Sequence, residues 1–209
     1  MNTALKRPME LIDTELSGNA WKVRLMAGYL NIPLKRTSLS IVDGDLETDD
    51  FAQINPVRQV PVLRTREGQW LSESPAILWY LSKGSDFLPR SHAEQAEAIQ
   101  WLTFEQTQHM YYFAQPRLRI ALRKTMALHD PQAEAWRETG HKALRVLESH
   151  LSVSTYLVGV QPSIADVALY PYTSMAAEGG YDLTPYTAVQ AWLDRMGSLP
   201  GYTPLVDRN

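Results

Sequence analysis

The sequence changes character once, near residue 84, and this change limits the folds that the chain can adopt. Before it, short apolar runs typical of strands alternate with stretches of helical spacing, in the order β-α-β-α-β-β-α. After Pro89, apolar residues recur every three to four positions and strand signals cease. The pattern predicts an α/β domain at residues 1–83, a linker at 84–90 and an all-α domain at 91–209.

Local signals predict the individual elements. The expected strands are Met9–Asp13, Leu34–Ile41, Val60–Arg66 and Gln69–Ser72. In the first domain, helices are expected after Ser17, in a short turn before Asn55, and from Ser74-Pro75 onward, because serine caps helices and proline suits a first turn. In the second domain, the expected helices are Ser91–Tyr112, Pro131–His150, one beginning at Ile164, and Pro185–Met196.

Composition excludes several classes of function. The 209 residues include no cysteine, which rules out disulfides, thiolate metal sites and a cysteine nucleophile. Lys and Arg number 20 against 23 Asp and Glu, so the basic excess of a nucleic-acid-binding protein is missing. No apolar run reaches the length of a membrane span. Met1–Pro8 lacks the apolar stretch of a secretory signal, so we expect a short frayed leader and a cytoplasmic protein.

Metal and nucleotide motifs are also missing. Asp43, Asp45 and Glu47 suggest a calcium loop, but Thr48 and Ile54 occupy the positions that need glycine and glutamate. The five histidines lack metal-ligand spacing, and the chain has neither a phosphate-binding glycine loop nor a nucleophile elbow. We therefore expect no metal site.

Four short motifs, in this order and spacing, resemble the cytosolic glutathione S-transferase family. They are Leu-Ser-Gly-Asn-Ala-Trp-Lys at 16–22, Asn-Pro-Val-Arg-Gln-Val-Pro-Val-Leu at 55–63, Glu-Ser-Pro-Ala-Ile at 73–77 and Ser-Ile-Ala-Asp at 163–166. The resemblance extends from about Met9 to Tyr202 and is nearest to bacterial members with Ser-Gly-Asn at the first helix. It implies a thioredoxin-like first domain, glutathione as co-substrate and a homodimer.

Ser17 and Asn19 are the candidate catalytic residues. A free thiol is mostly protonated at neutral pH, and the thiolate is the nucleophile. A hydroxyl or amide donor at a helix N-terminus, where the helix dipole favours negative charge, stabilises a thiolate. The resemblance implies that Ser17 contacts the glutathione sulfur first and Asn19 second. The residues alone favour the alternative that Ser17 is only a helix cap.

Two further segments are candidates for binding glutathione. By the resemblance, Val60 precedes a cis proline, Pro61, and pairs with the cysteinyl backbone of glutathione, and Gln59 supplies a polar contact. Ser74 would receive the γ-glutamyl carboxylate at a helix N-terminus, and Glu73 would hold the ammonium group. Ordinary trans geometry and simple capping are the alternatives. Arg58 and Lys35 are weaker candidates for the glycyl carboxylate, because a solvated surface charge explains either residue as well.

The electrophile pocket is expected to combine the segment after the first strand with the long helix of the second domain. Leu16, Met110, Tyr111 and Tyr112 are its candidate residues, since methionine and tyrosine give adaptable apolar contacts. Methionine and aromatic residues on a helix are more often explained by core packing. Asp166, at the third position of a helix capped by Ser163, is expected to serve folding rather than catalysis.

The resemblance predicts a glutathione transferase that conjugates the glutathione thiolate to a small, apolar electrophile. Two alternatives stay open. The spacing Ser-x-Asn-x-x-Lys is similar to that of bacterial members that reduce disulfides with two glutathiones. A non-enzymatic carrier or regulator with the same fold is the third possibility, and the presence of Ser17, Gln59, Glu73 and Ser74 argues against it.

Overall fold

The computed structural model describes residues 8–40 and 43–206. The chain forms two units, which divide between Lys83 and Gly84. The second unit ends at Pro200, and the chain from Gly201 groups with the first unit rather than with the helical unit at 91–209. The expected leader, apart from Pro8, and the Ile41 end of the second predicted strand lie outside the described residues.

The first unit is built on a four-stranded mixed sheet. Its strands are β1 (Met9–Asp13), β2 (Leu34–Ser38), β3 (Val62–Arg64) and β4 (Trp70–Ser72), in the spatial order β2-β1-β3-β4. β1 runs parallel to β2 and antiparallel to β3, and β3 pairs antiparallel with β4. The helices are α1 (Gly18–Tyr29), α2 (Asp49–Ile54) and α3 (Ser74–Ser82). The predicted order β-α-β-α-β-β-α is confirmed.

Both faces of β1 are buried, and this explains its near-continuous apolar sequence. Leu11 lies opposite Leu63 in the register of β1 and β3, and neither is exposed. The neighbouring position, Ile12, packs with Val62 and Phe51 in a separate apolar cluster. Since successive strand residues point to opposite faces, the sheet has apolar residues on both sides.

The second unit is helical, as predicted. Its helices are α4 (His92–Phe104), α5 (Met110–Pro116), α6 (Pro131–Leu151), α7 (Ile164–Ser174) and α8 (Thr187–Gly197). Two π-helical segments, Glu105–His109 and Arg117–Leu122, join α4 to α5 and extend α5. The prediction that this helix ends at Tyr112 was wrong, because the helical path continues through Pro116 to Leu122.

A tyrosine from a distant segment supplies the hydrogen bond that the proline in α5 cannot make. Pro116 has no N–H to donate to the carbonyl of Tyr112, four residues earlier. The hydroxyl of Tyr181 donates to that carbonyl instead, at 2.7 Å, and lies 3.3 Å from the carbonyl of Trp136 in α6. Gly140 leaves room for this hydroxyl, since a Cβ at that position would overlap the Tyr181 ring. Tyr181 therefore ties α5 to α6 and satisfies the acceptor that proline leaves open.

We expect Tyr181→Phe to lower the free energy of unfolding by about 1–3 kcal/mol, because the Tyr112 carbonyl then loses its donor without a change in apolar volume. Equilibrium urea unfolding measures this effect. Tyr156→Phe, a tyrosine of the same unit whose ring is contacted by Arg195 at 6.0 Å, is the control, and we expect a smaller change. Equal effects of the two substitutions would contradict the bridging role.

The chain after Gly201 lies against α1. The indole Nε1 of Trp21 donates to the carbonyl of Thr203 at 2.7 Å, and its ring meets Tyr202 edge-on. Gly28 and Gly201 approach so closely that a Cβ on either would overlap the other segment. In the described part of the chain, no helix is long and apolar enough to cross a membrane.

Candidate functional site

Ser17 caps α1, and the cap uses its hydroxyl as an acceptor only. Ser17 adopts an extended conformation, and its Oγ accepts from the N–H of Ala20 at 3.2 Å. Capping uses one lone pair of the hydroxyl, whereas its O–H can still donate elsewhere. Ser17 is half-buried at this helix end. The two interpretations of Ser17, cap and thiolate donor, are therefore compatible.

A buried lysine connects the N-termini of α1 and α3. Lys22 has no exposed surface, and its Nζ donates to Oδ1 of Asn19 at 2.8 Å. The same Nζ lies 3.5 Å from Oγ of Ser74. Asn19 and Ser74, which the sequence assigned to separate parts of the site, therefore lie on either side of one ammonium group. Lys22 lies within the motif at 16–22, but no local pattern in the sequence marks it as a site residue.

The helix end at Ser74 differs from the predicted one by one residue. Ser74 is the first residue of α3, not its cap, and Pro75 follows within the first turn. Glu73 occupies the capping position with a φ of 68° and makes no side-chain capping bond. The N–H groups of the first turn are unused by the helix, so this end can receive an anion.

Glu73 is exposed, and its backbone lies in a region that non-glycine residues rarely adopt. Such a conformation costs about 1–3 kcal/mol and persists where the surroundings impose it, often at ligand sites. The turn leads directly from β4 into α3, and the carbonyl of Glu73 accepts from the N–H of Ile77 at 3.0 Å. The unusual backbone of Glu73 therefore sets the direction in which α3 begins, and the Glu73 residue itself is exposed.

The peptide bond between Val60 and Pro61 is cis, as expected. Val60 packs on the apolar cluster of Ile12, Phe51 and Val62. The preceding turn is held by Asn55, which is buried and donates from Nδ2 to the carbonyl of Gln59 at 2.8 Å. Gln59 itself is exposed. Asn55 begins the motif at 55–63, and its supporting role depends on a contact that the motif alone does not indicate.

The two weaker candidates for the glycyl carboxylate lie apart in the first unit. Arg58 has a positive φ of 56° and contacts the backbone and side chain of Glu47 and the side chain of Asp49. Lys35 is exposed on β2, opposite Glu10 in the strand register. Arg58 is thus already engaged with acidic partners, and the assignment of the glycyl carboxylate stays open.

The candidate pocket residues belong to both units and are described within each. Leu16, just before the cap of α1, is 41% exposed. Met110, Tyr111 and Tyr112 begin α5, where consecutive residues point about 100° apart. Tyr111 is 46% exposed and meets Trp136 edge-on, and Tyr112 is half-buried. Their joint role as a pocket stays a prediction.

The acidic segment before α2 makes contacts within the protein. Oδ2 of Asp45 accepts from the N–H of Ser40 at 2.8 Å, and Glu47 lies near Arg58. Among the residues that the structure describes, no group of three His, Asp or Glu side chains is placed to hold a metal ion.

Family models match both units of the chain. The glutathione S-transferase N-terminal domain matches residues 16–83, and the C-terminal domain of the same family matches residues 109–200. Each match lies within one of the two units.

Solved and curated proteins agree with these matches. A glutathione S-transferase from Pseudomonas fluorescens Pf-5 is 38% identical, with a TM-score of 0.93 over 96% of this chain and 100% of that one. The disulfide-bond oxidoreductases YghU and YfcG of Escherichia coli K12 are 27% and 26% identical over 183 and 198 residues. The match to YghU covers 78% of this chain but 59% of YghU, whereas the match to YfcG covers 87% of each.

Proposed function

The chain belongs to the glutathione S-transferase family, and from this premise we propose that it conjugates glutathione to a small, apolar electrophile. The observation that carries the proposal is the pairing of two helix N-termini, at Asn19 and Ser74, through contacts with the Lys22 ammonium. Glutathione is a thiol with two carboxylates and an ammonium group. A pair of adjacent helix ends with polar donors suits such a ligand.

In this mechanism the protein lowers the pKa of the bound thiol. A thiol with a pKa near 8.5 is a few per cent ionised at neutral pH, and lowering that pKa by about two requires roughly 2.7 kcal/mol of preferential thiolate binding. Ser17 donates its O–H to the sulfur, and the dipole of α1 adds to the effect. The amide of Asn19 is the second donor. Its position two residues into α1 places it at the same helix end.

The thiolate then attacks the electrophile. A sulfur–carbon bond forms, the leaving group departs with its electron pair, and the thiol proton has already passed to solvent. The protein forms no covalent intermediate, which agrees with a chain that has no cysteine. Its contribution is orientation and electrostatic stabilisation.

The rest of glutathione is assigned along the edge of the first unit. The backbone of Val60, ahead of the cis Pro61, pairs with the cysteinyl backbone in the manner of an added strand, with Gln59 beside it. Ser74 and the free N–H groups of α3 receive the γ-glutamyl carboxylate, and the exposed carboxylate of Glu73 pairs with the ammonium group. Leu16, Met110, Tyr111 and Tyr112 are proposed to contact the electrophile.

The family also suggests how the protein is organised in the cell. We propose a cytoplasmic homodimer that acts in detoxification and belongs to the bacterial type with Ser-Gly-Asn at α1. The similarity to the Pseudomonas fluorescens transferase supports this type.

A glutathione-dependent disulfide reductase is the second candidate. The similarity to YghU and YfcG, both named disulfide-bond oxidoreductases, favours it, as does the Ser-x-Asn-x-x-Lys spacing. In this reaction one glutathione thiolate attacks a disulfide sulfur and displaces a thiolate. A second glutathione thiolate then attacks the mixed disulfide and yields oxidised glutathione and the second product thiol. Both sulfur nucleophiles come from glutathione, because the chain supplies none.

Glutathione binding tests both candidates. We expect millimolar glutathione to raise the melting temperature, because a ligand that binds only the folded state stabilises it by mass action. The dipeptide Cys-Gly, which lacks the γ-glutamyl group, is the control and should stabilise the protein less. No shift with glutathione would contradict both enzymatic proposals and favour a carrier or regulator. Rates with an aromatic halide and with a mixed disulfide then separate transferase from reductase.

A further inference from the structure

The lysine in α1 is buried where an apolar residue would be expected. Lys22 follows Ser17 by little more than one helical turn, and its side chain has no exposed surface. Burying an ammonium group is costly unless polar partners surround it. A methionine or leucine would fill a similar volume without this cost. The side chain therefore calls for a reason beyond packing.

The contact with Lys22 sets the direction of the Asn19 amide. An ammonium group has three donors and no acceptor, so it pairs with the amide oxygen and repels the amide NH₂. With Oδ1 held 2.8 Å from Nζ, the Nδ2 group of Asn19 points away from Lys22. Asn19 is half-buried, so its NH₂ remains available to a ligand. Without the lysine, the amide could turn over and present its oxygen to the thiolate, which would be repulsive.

The contact with Ser74 has the same consequence at the second helix. Nζ lies 3.5 Å from Oγ of Ser74, so the hydroxyl acts as acceptor towards the lysine. Its own hydrogen is then directed elsewhere and can donate to a carboxylate. Ser74 is 3% exposed, which restricts the directions open to that hydrogen. One buried cation thus orients a donor at the N-terminus of α1 and another at that of α3.

The charge of Lys22 acts in the same direction as these two donors. Each helix N-terminus carries a partial positive charge, and both ends face the lysine through Asn19 and Ser74. In a buried environment a charge acts more strongly than in water. A thiolate and a carboxylate placed at these ends would both be stabilised.

We propose that Lys22 is a positioning residue that turns the Asn19 amide and the Ser74 hydroxyl towards bound glutathione and favours its thiolate form. The inference rests on the proposed glutathione site. The role of Lys22 differs from that of Ser17, because Ser17 is assigned to touch the sulfur directly. Lys22 is expected to act partly through Asn19.

The test uses Lys22→Met, which keeps the volume and removes the charge, and Lys22→Gln, which restores a neutral donor. We expect Lys22→Met to weaken glutathione binding about threefold to tenfold and to raise the pKa of the bound thiol by up to about one. Calorimetry measures affinity, and thiolate absorbance across pH measures the pKa. Lys22→Gln should recover part of the affinity but not the low thiol pKa, because it restores a donor without the charge.

Two controls keep the proposal falsifiable. Lys142→Met, an exposed lysine on α6, should leave both measurements unchanged. In an Asn19→Ala background, Lys22→Met should cost less than in the wild type, since part of its effect passes through Asn19. If folded Lys22→Gln and Lys22→Met both bind glutathione with wild-type affinity and with the wild-type thiol pKa, the role of Lys22 is overturned. The proposed function is unaffected by that result. Failure of the wild type to bind glutathione would overturn the proposed function and this inference together.

Discussion

Replacing Asp166 with alanine should lower the free energy of unfolding by about 3–5 kcal/mol, as expected when a buried charged network loses its centre. Asp166 has no exposed surface and accepts four hydrogen bonds. Oδ1 accepts from the N–H of Leu157 at 3.0 Å and from Nε1 of Trp192 at 2.9 Å. Oδ2 accepts from the N–H and the hydroxyl of Ser163, both at 2.9 Å.

The network joins three segments of the second unit. Ser163 and Asp166 form a capping box at the start of α7, and Trp192 lies in α8. Burial raises the pKa of the Asp166 carboxyl, while the four donors act against this shift. A truncation would leave all four donors without an acceptor inside the protein, and each unpaired buried donor is costly.

Asparagine at position 166 should be nearly as damaging as alanine. Its amide carries two N–H donors, and in either orientation they would face two of the four donors that now meet the carboxylate. Trp192→Phe removes a single donor and should cost about 1 kcal/mol. Equilibrium urea unfolding followed by circular dichroism measures the series. Asp194→Asn, at an exposed position on α8, is the control. Wild-type stability in Asp166→Asn would contradict the role of this network.

Replacing Ser17 with alanine should lower kcat/KM with an electrophile by about tenfold to a hundredfold and raise the pKa of the bound thiol by about one to two. A hydrogen bond to a charged group contributes about 1.5–3 kcal/mol, and each pKa unit corresponds to 1.36 kcal/mol. The acid limb of the rate profile should shift to higher pH, because less thiolate is present at a given pH. Thiolate absorbance and steady-state rates across pH measure the two effects.

Ser17→Thr keeps the hydroxyl and should retain most of the activity, which makes it the matched control. The alanine variant also loses the cap of α1, so its unfolding free energy should fall by about 0.5–2 kcal/mol. Activity is therefore compared at a temperature where both variants are folded. If Ser17→Ala leaves the thiol pKa and the rate unchanged, Ser17 is only a cap and Asn19 becomes the leading thiolate donor.

Several parts of the fold could be predicted because their signals are local. The strand Met9–Asp13 has the predicted bounds, since a dense apolar run buried on both faces needs no distant information. The caps Ser17 and Ser163 were also predictable, because each hydroxyl accepts a hydrogen bond from an N–H that lies within three residues of it. The order of the elements in both units followed from the same kind of signal.

Other features could not be read from local patterns. The helical path through Pro116 could not be predicted, because the Tyr181 hydroxyl that satisfies the freed carbonyl comes from 69 residues away. Glu73 in a left-handed conformation carries no sequence signature, because glycine or asparagine is the usual residue there. Lys22 within a helix of apolar neighbours would normally be assigned to a solvated position.

The sequence alone determined which chemical groups are available: no thiol, a hydroxyl and an amide at the start of α1, and a serine at the start of α3. Only the tertiary structure decided that Lys22 lies between Asn19 and Ser74, which are 55 residues apart in the chain. The physical reason is the range of the forces involved. Capping and helical spacing act within a turn or two, whereas the meeting of two helix ends follows from the burial of apolar faces that are distant in sequence.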